Sequence, residues 1–171
     1  SRHLHEANIF VEAVVAPGFE PEAIKLFSAK KNIRLMQRPA TELNIEDQRY
    51  DLKRISGGLL VQSQDSLNYV EGQLKIASDR EPTAREMEDM KFAWLVAKHV
   101  KSNAIIYAKD NEILGIGAGQ MSRVDSARVA VEKARKPLQG CVMASDAFFP
   151  FPDCVEIAHK SGISSVIQPG G

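Results

Sequence analysis

Residues 102–123 read SNAIIYAKDNEILGIGAGQMSR, and the fold turns on them. Ala104-Ile105-Ile106-Tyr107-Ala108 is an apolar run rich in β-branched and aromatic residues, and Ile113-Leu114-Gly115-Ile116 is a second. Asp110-Asn111 between them is turn chemistry, so the stretch predicts a β-hairpin. Gly117-Ala118-Gly119 follows, and a strand that leaves through glycines into a helix bares backbone N–H groups and lets a ligand come close. The spacing is not a dinucleotide fingerprint: Gln120 stands where the last glycine is required, and no Gly-Lys-Ser/Thr follows for a phosphate loop. A plain strand exit and a ligand turn both fit the glycines. In a hairpin the two outer ends share one sheet edge, which places Asn103, at the start of the first strand, and Arg123, past the end of the second, at one cleft.

The second informative stretch is Ser145-Asp146-Ala147-Phe148-Phe149-Pro150-Phe151-Pro152-Asp153. The prolines exclude a helix or a central strand. Phenyl rings on a stiff loop, with carboxylates at both ends, make either a plug on the core or a wall for a flat ligand. A carboxylate beside such a wall suits the amino-imine edge of a heterocycle. The residue types leave plug and wall open.

Working outward, Cys141–Ala144 before this loop reads as a strand, and Val155, Ile157 and Ala158 after it as part of a helix, with Ser164–Ile167 a last strand. Ser122 caps a helix whose apolar face is Val124, Ala127, Val131 and Ala134, ended by Pro137 and Gly140. Upstream, Thr83 and Glu86 form a capping box, and Met87, Met90, Trp94, Leu95 and Ala97 follow at helical spacing as a core stripe. Lys98-His99 in the last turn looks catalytic, but cations there also suit the helix dipole, and the structural reading is preferred. Leu52–Gln62 carries Gly57-Gly58 and reads as a strand with a bend or bulge; Leu74–Ala77 reads as a short edge strand. Gln37–Asp51 is polar and without period, a linker and the best boundary. Before it, a buried strand over Ile9–Val15, a helix from Pro21 and a strand at Ile33–Met36 form one strand–helix–strand unit with parallel pairing. His3 and His5 read as polar leader rather than as a metal site.

Strands alternating with helices, plus one hairpin, give a three-layer α/β/α fold with a mixed sheet. Both polar loops follow strands and precede helices, so they fall at the edge where such sheets bind ligands. The 22 basic and 22 acidic residues cancel, which leaves no net field to draw the chain to nucleic acid or anionic lipid. No apolar run approaches the ~20 residues of a membrane span. Two cysteines, Cys141 and Cys154, are too few for a disulfide framework in 171 residues, and reduced thiols in the cytoplasm are expected, with one bridge between them as the alternative. The chain opens at Ser1 and closes at Pro169-Gly170-Gly171 just after an apolar run, and it reads as an excised piece of a longer protein.

SNAIIYAKD, LGIGAGQMSR and SDAFFPF closely resemble the C-terminal transformylase half of the bifunctional purine-synthesis family, in which aminoimidazole carboxamide ribonucleotide (AICAR) formyltransferase is joined to IMP cyclohydrolase. GGLLVQ, FAWLVAKHVKSNA and SVIQPGG fit bacterial members. The resemblance covers nearly the whole chain and is densest from Gly57 to Gly171. It implies a cytidine-deaminase-like fold, with residues 1–50 ending one subdomain and 51–171 forming most of a second. The implied reaction moves a formyl group from 10-formyltetrahydrofolate to the 5-amino group of AICAR, in a cytoplasmic homodimer. By resemblance Asn103 orients the nucleotide's carboxamide and amine, and Arg123 and Val124 lie at the folate. Phe148, Pro150 and Phe151 pack on it, Asp153 holds the pterin, and Ser102 and Asp146 lie close to a potassium site. Two features depart from the family. Its catalytic Lys-His pair lies in an earlier segment, so Lys98-His99 is not that pair, and its basic, histidine-containing C-terminus lies beyond Gly171. Residues 128–140 are also shorter than in relatives, and Pro152 stands where arginine is common. The chain alone is expected to be inactive and to self-associate only weakly. A zinc deaminase of the same fold needs His-x-Glu and Pro-Cys-x-x-Cys, and neither motif occurs. The remaining alternative is a non-catalytic ligand-binding or interaction module.

Overall fold

The structure is a computed structural model, and it describes residues 10–39, 50–70 and 72–170. The chain divides into two compact units, Ser1–Ser66 and Leu67–Gly171.

In the first unit, β1 (Ala13–Ala16) pairs in parallel with β2 (Arg34–Gln37), and α1 (Pro21–Ser28) connects them. Pro21 sits in the first turn of α1, where its missing N–H costs nothing, and Phe27 is buried. The parallel unit is as expected, but β1 is shorter and less buried than the apolar run suggests: it starts at Ala13, and Phe10 and Val15 are exposed. Ile9, His3 and His5 lie outside the described residues. β3 (Tyr50–Ile55) and β4 (Gly58–Ser63) form an antiparallel ribbon. The double glycine is therefore the turn of a hairpin and not a bend in one strand: Gly57 takes φ 80°, open to glycine without cost. The expected linker loses both ends to strands, Gln37 to β2 and Tyr50-Asp51 to β3; residues 40–49 lie outside the described residues.

The second unit is an α/β layered structure. Its sheet has the order β6-β5-β7-β8, with β5 (Ile105–Lys109), β6 (Glu112–Gly117), β7 (Val142–Ser145) and β8 (Ser165–Ile167). β5 runs antiparallel to both β6 and β7, and β7 parallel to β8, so the sheet is mixed. Asp110 and Asn111 both take φ 56°, the two-residue turn whose twist matches that of the strands it joins. Alternation along β5 divides the core. Ile105 and Tyr107 point to one face, with Met143, Ala127, Ala130 and Ala158. Ile106 and Ala108 point to the other, with Ala144, Met90, Ala93 and Ala97. Each such fully buried large side chain stabilises the fold by about 1.5–3 kcal/mol.

Helix α2 (Ala84–Ala97) covers the second face, opened by the expected capping box: Thr83 accepts from the Glu86 N–H while Glu86 accepts from the Thr83 N–H. The stripe is shifted from the expectation. Ala93 is buried and Leu95 is exposed, while Met87 and Trp94 are only partly buried, Trp94 Nε1 donating to the Asn68 carbonyl at 2.6 Å. Helices α3 (Arg123–Glu132) and α4 (Asp153–Lys160) cover the first face. Ser122 caps α3, accepting from the Asp125 N–H. α3 ends at Glu132, five residues before Pro137, because the chain has already turned after Lys133. Residues 74–77 form no strand. Cys141 and Cys154 are buried and unpaired. Among the described residues no helix is long and apolar enough to cross a membrane.

Candidate functional site

The glycines that close β6 are packing devices. A Cβ on Gly115 would lie 2.3 Å from the Ala130 carbonyl oxygen, and one on Gly117 would lie 1.8 Å from that of Ser126. Their absence lets α3 press directly on the sheet, and that close approach delivers the start of α3 to the edge where β5 begins.

At that edge Asn103, Arg123 and Asp146 come together. The peptide bond Ser102–Asn103 is cis. Asn103 Nδ2 donates to the Gln120 carbonyl at 2.8 Å, and Ser126 Oγ donates to the Asn103 carbonyl at 2.7 Å. Because Gln120 O can only accept, the amide is oriented with its NH2 inward, and Oδ1 has no partner among the described residues. Asp146, one residue past β7, accepts from the Ala104 N–H at 3.0 Å and from the Arg123 guanidinium at 3.2 Å, both through Oδ1. Its own N–H donates back to the Ala104 carbonyl at 3.3 Å. Arg123 Nε is buried without a partner among the described residues. Val124 is half-buried behind Arg123, and Ser102 is exposed.

The aromatic loop leaves from the same edge, since Ser145 pairs with Ile105. Its three rings are divided: one plugs the core and two do not. Phe149 packs on the core, its N–H held by Gln168 Oε1 at 2.7 Å. Phe148 and Phe151 are 46% and 69% exposed, and Pro150 is exposed beside them. Asp153 opens α4 with its Oδ1 accepting from the Cys154 N–H at 2.8 Å, and the carboxylate faces solvent. Behind this loop, burial and the neighbouring Asp153 charge push the Cys154 thiol up to about 11.

The expected residues thus fall into two groups: Asn103, Arg123 and Asp146, tied together by hydrogen bonds with Ser102 and Val124 adjacent in sequence, and Phe148, Pro150, Phe151 and Asp153, exposed on the segment that follows β7. Ser126, Gln120 and Gln168 were missed by sequence reasoning. Ser126 carried one usable signal, its position four residues after the cap Ser122 and therefore on the same helix face. Lys98-His99 is elsewhere: Lys98 Nζ donates to the Leu67 carbonyl at 2.9 Å and His99 is exposed past the end of α2. Asp146 Oδ1 is committed to a guanidinium, and Ser102 adds one exposed hydroxyl. Hard cations take six or more oxygens, so these two residues do not by themselves make a potassium site. Among the described residues no group of three histidine, cysteine or acidic side chains is placed to hold a metal. A cavity of about 540 Å³, lined by Arg135, Lys136, Leu138 and Lys160 among others, lies at the opposite end of β7.

A mixed sheet with helices on both faces and a polar cluster at one strand edge defines a layered α/β protein. Comparison with known proteins narrows this. The family model described as AICARFT/IMPCHase bienzyme matches residues 2–133. The chain is 50% identical over 175 residues to the bifunctional purine biosynthesis protein PurH of Magnetococcus marinus, covering 96% of the chain and 33% of that protein. It is 49% identical to PurH of Thermoanaerobacter sp. over 95% of the chain and 31% of that protein, and 47% identical to PurH of Oceanobacillus iheyensis over 96% and 32%. The chain belongs to the AICARFT/IMPCHase bienzyme family, and it spans about a third of the length of the curated relatives it matches.

Proposed function

We propose that this chain is part of the transformylase half of such a bienzyme, and that the parent protein transfers a formyl group from 10-formyltetrahydrofolate to the 5-amino group of AICAR. The observation that supports this most is the free Oδ1 of Asn103 at the same sheet edge as the exposed rings of Phe148 and Phe151. The AICAR amine is a weak nucleophile because its lone pair is delocalised into the ring, so orientation must supply much of the rate. Asn103 Oδ1 accepts an N–H of that amine and turns its lone pair toward the formyl carbon. Arg123, held by Asp146, and the half-buried Val124 border the folate. Phe148, Pro150 and Phe151 stack on its flat ring system and exclude water, and Asp153 accepts from the amino-imine edge of the pterin.

The same reading assigns residues 1–50 to the end of one cytidine-deaminase-like subdomain and 51–171 to most of a second, in a cytoplasmic homodimer. The catalytic Lys-His pair of the family lies outside this chain, so the 171 residues alone are inactive.

Calorimetric titration of the chain with a folate analogue and with AICAR, followed by a formyl-transfer assay on the full-length protein, tests this. Asn103→Ala is expected to lower kcat by about 100-fold or more while leaving folate binding within a few-fold, as for loss of one orienting hydrogen bond. A non-catalytic module of the same fold predicts no folate binding and no effect of Asn103→Ala.

A further inference from the structure

The aromatic loop is hydrogen-bonded to the exit of β8 by one side chain. In Phe148-Phe149-Pro150-Phe151-Pro152 the prolines carry no N–H, which leaves three backbone donors. Among the described residues one of the three is bonded: the Phe149 N–H donates to Gln168 Oε1 at 2.7 Å. The sheet brings Gln168 within reach. Parallel pairing sets Ala144 opposite Ile167, so the same register puts Gln168 level with Ser145, where β7 ends. Ile167 packs with the α2 layer, and alternation turns the next residue to the other face, the one on which Phe149 packs.

Phe149 is therefore held at two points, its ring on the core and its N–H on Gln168. One point alone would let the backbone swing about the packed ring. Two points fix the direction in which the chain leaves Phe149. Pro150 and Pro152 carry that direction outward: each fixes its own φ and steers the residue before it, Phe149 or Phe151, to extended backbone. The segment from Phe149 to Pro152 is thus a stiff arm whose aim is set at its root. Phe148 and Phe151, the two rings left exposed, flank that root in sequence. Gln168 is itself exposed, so it adds little to the core, and among the described residues its side chain bonds to the loop alone.

We infer that Gln168 is a positioning residue: its side-chain oxygen, acting through the Phe149 N–H, aims the exposed rings of Phe148 and Phe151 and so sets the affinity of the loop for a flat aromatic ligand. The inference rests on the folate reading of this loop and adds the residue that pre-organises it.

The test uses the full-length protein with Gln168→Met, which keeps the length of the side chain and removes the acceptor, and Gln168→Glu, which keeps an acceptor. Hydrogen exchange, read by mass spectrometry on a peptide spanning Phe148–Pro152, reports the bond directly because so few N–H groups share the segment. Gln168→Met is expected to lose one slowly exchanging amide there, and Gln168→Glu to retain it. In the formyl-transfer assay Gln168→Met is expected to raise KM for the folate about fivefold or more, while KM for AICAR stays within about twofold and the melting temperature within about 2 °C. A Gln168→Met protein that keeps the slow amide, that loses it with the folate KM unchanged, or whose AICAR KM rises as much as its folate KM, overturns the positioning role and leaves the folate reading standing. So does a Gln168→Glu protein that loses the slow amide. A parent protein with no affinity for a folate analogue overturns the folate reading instead, and the exchange result still decides whether Gln168 holds the loop.

Discussion

Arg123 and Asp146 meet at 3.2 Å although 23 residues separate them, and each side chain is about one-fifth exposed. The pair ties the first turn of α3 to the exit of β7 across the start of β5. Asp146 also holds the Ala104 N–H, so the same carboxylate fixes the residue next to Asn103. Asp146→Asn is expected to lower kcat in the full-length protein by about tenfold to 100-fold, because the neutral amide weakens the charge-assisted bond to Arg123. Arg123→Ala leaves a partly buried carboxylate unpaired and is expected to cost about 1–3 kcal/mol of stability as well as folate affinity. A thermal melt and a folate titration of both variants separate the two effects.

The division of labour in the aromatic loop gives a contrast. Phe149→Ala removes a ring packed on the core and is expected to destabilise by about 2–3 kcal/mol. Phe151→Ala removes an exposed ring and is expected to leave the melting temperature within about 1 °C. Folate titration reverses the order of interest: on the proposed function, Phe151→Ala is expected to weaken binding by severalfold to about tenfold, the loss for one stacked ring.

Gly117 admits no side chain. Its Cβ would sit 1.8 Å from the Ser126 carbonyl oxygen, so Gly117→Ala must push α3 off the sheet. A loss of about 3 kcal/mol is expected, or roughly 6–12 °C for a chain of this size. Ser126 Oγ, which holds the Asn103 carbonyl, moves with the helix, so on the proposed function AICAR affinity is expected to fall too.

Tyr107 is fully buried, and its hydroxyl has no partner among the described residues; burial, with a further contribution from Cys154, raises its pKa. Removing an unsatisfied buried hydroxyl relieves a desolvation cost, so Tyr107→Phe is expected to be neutral or to stabilise by up to about 1 kcal/mol. A melt that falls by several degrees would mean that the hydroxyl has a hydrogen-bond partner.

Glu86 makes the N-terminus of α2 pH-sensitive. The Arg80 guanidinium, assisted by Ser164 and Thr83, holds its carboxyl well below the usual carboxylate range. A depressed folded pKa contributes stability above the unfolded value of about 4.3, and this is lost as pH falls below it. Arg80 is largely exposed, so the effect is modest and weakens with salt. The melting temperature is expected to drop by a few degrees between pH 5 and pH 3, and Glu86→Gln to remove that part of the slope.

Much of this was legible in the chain because it rests on local chemistry. Asp110-Asn111, Ser122 and the Thr83/Glu86 box each act within four residues, and each formed as read. The edge shared by Asn103 and Arg123 followed from hairpin geometry alone. What escaped depends on distant partners. Nothing near Leu95 says that it faces water, and nothing near Gly57 says whether the chain bends or reverses, because β4's partner decides that. Asp146 was placed near a cation by resemblance, while its pairing with Arg123 needed three segments to be brought together. The split among the three phenylalanines was undecidable from composition, since it depends on Gln168 reaching back to the Phe149 N–H.

At the far end of β5, the buried carboxylate of Asp89 accepts the Asn111 N–H at 2.8 Å, so the turn is bolted to α2. The strand is thereby anchored at one tip while Asn103 occupies the other, and the span between them works as a strut of fixed length. Lengthening or shortening it by one residue would invert which side chains meet each helix layer and would also carry the amide out of reach of its partners. Insertions tolerated elsewhere in such chains should therefore be absent between Ala104 and Asp110.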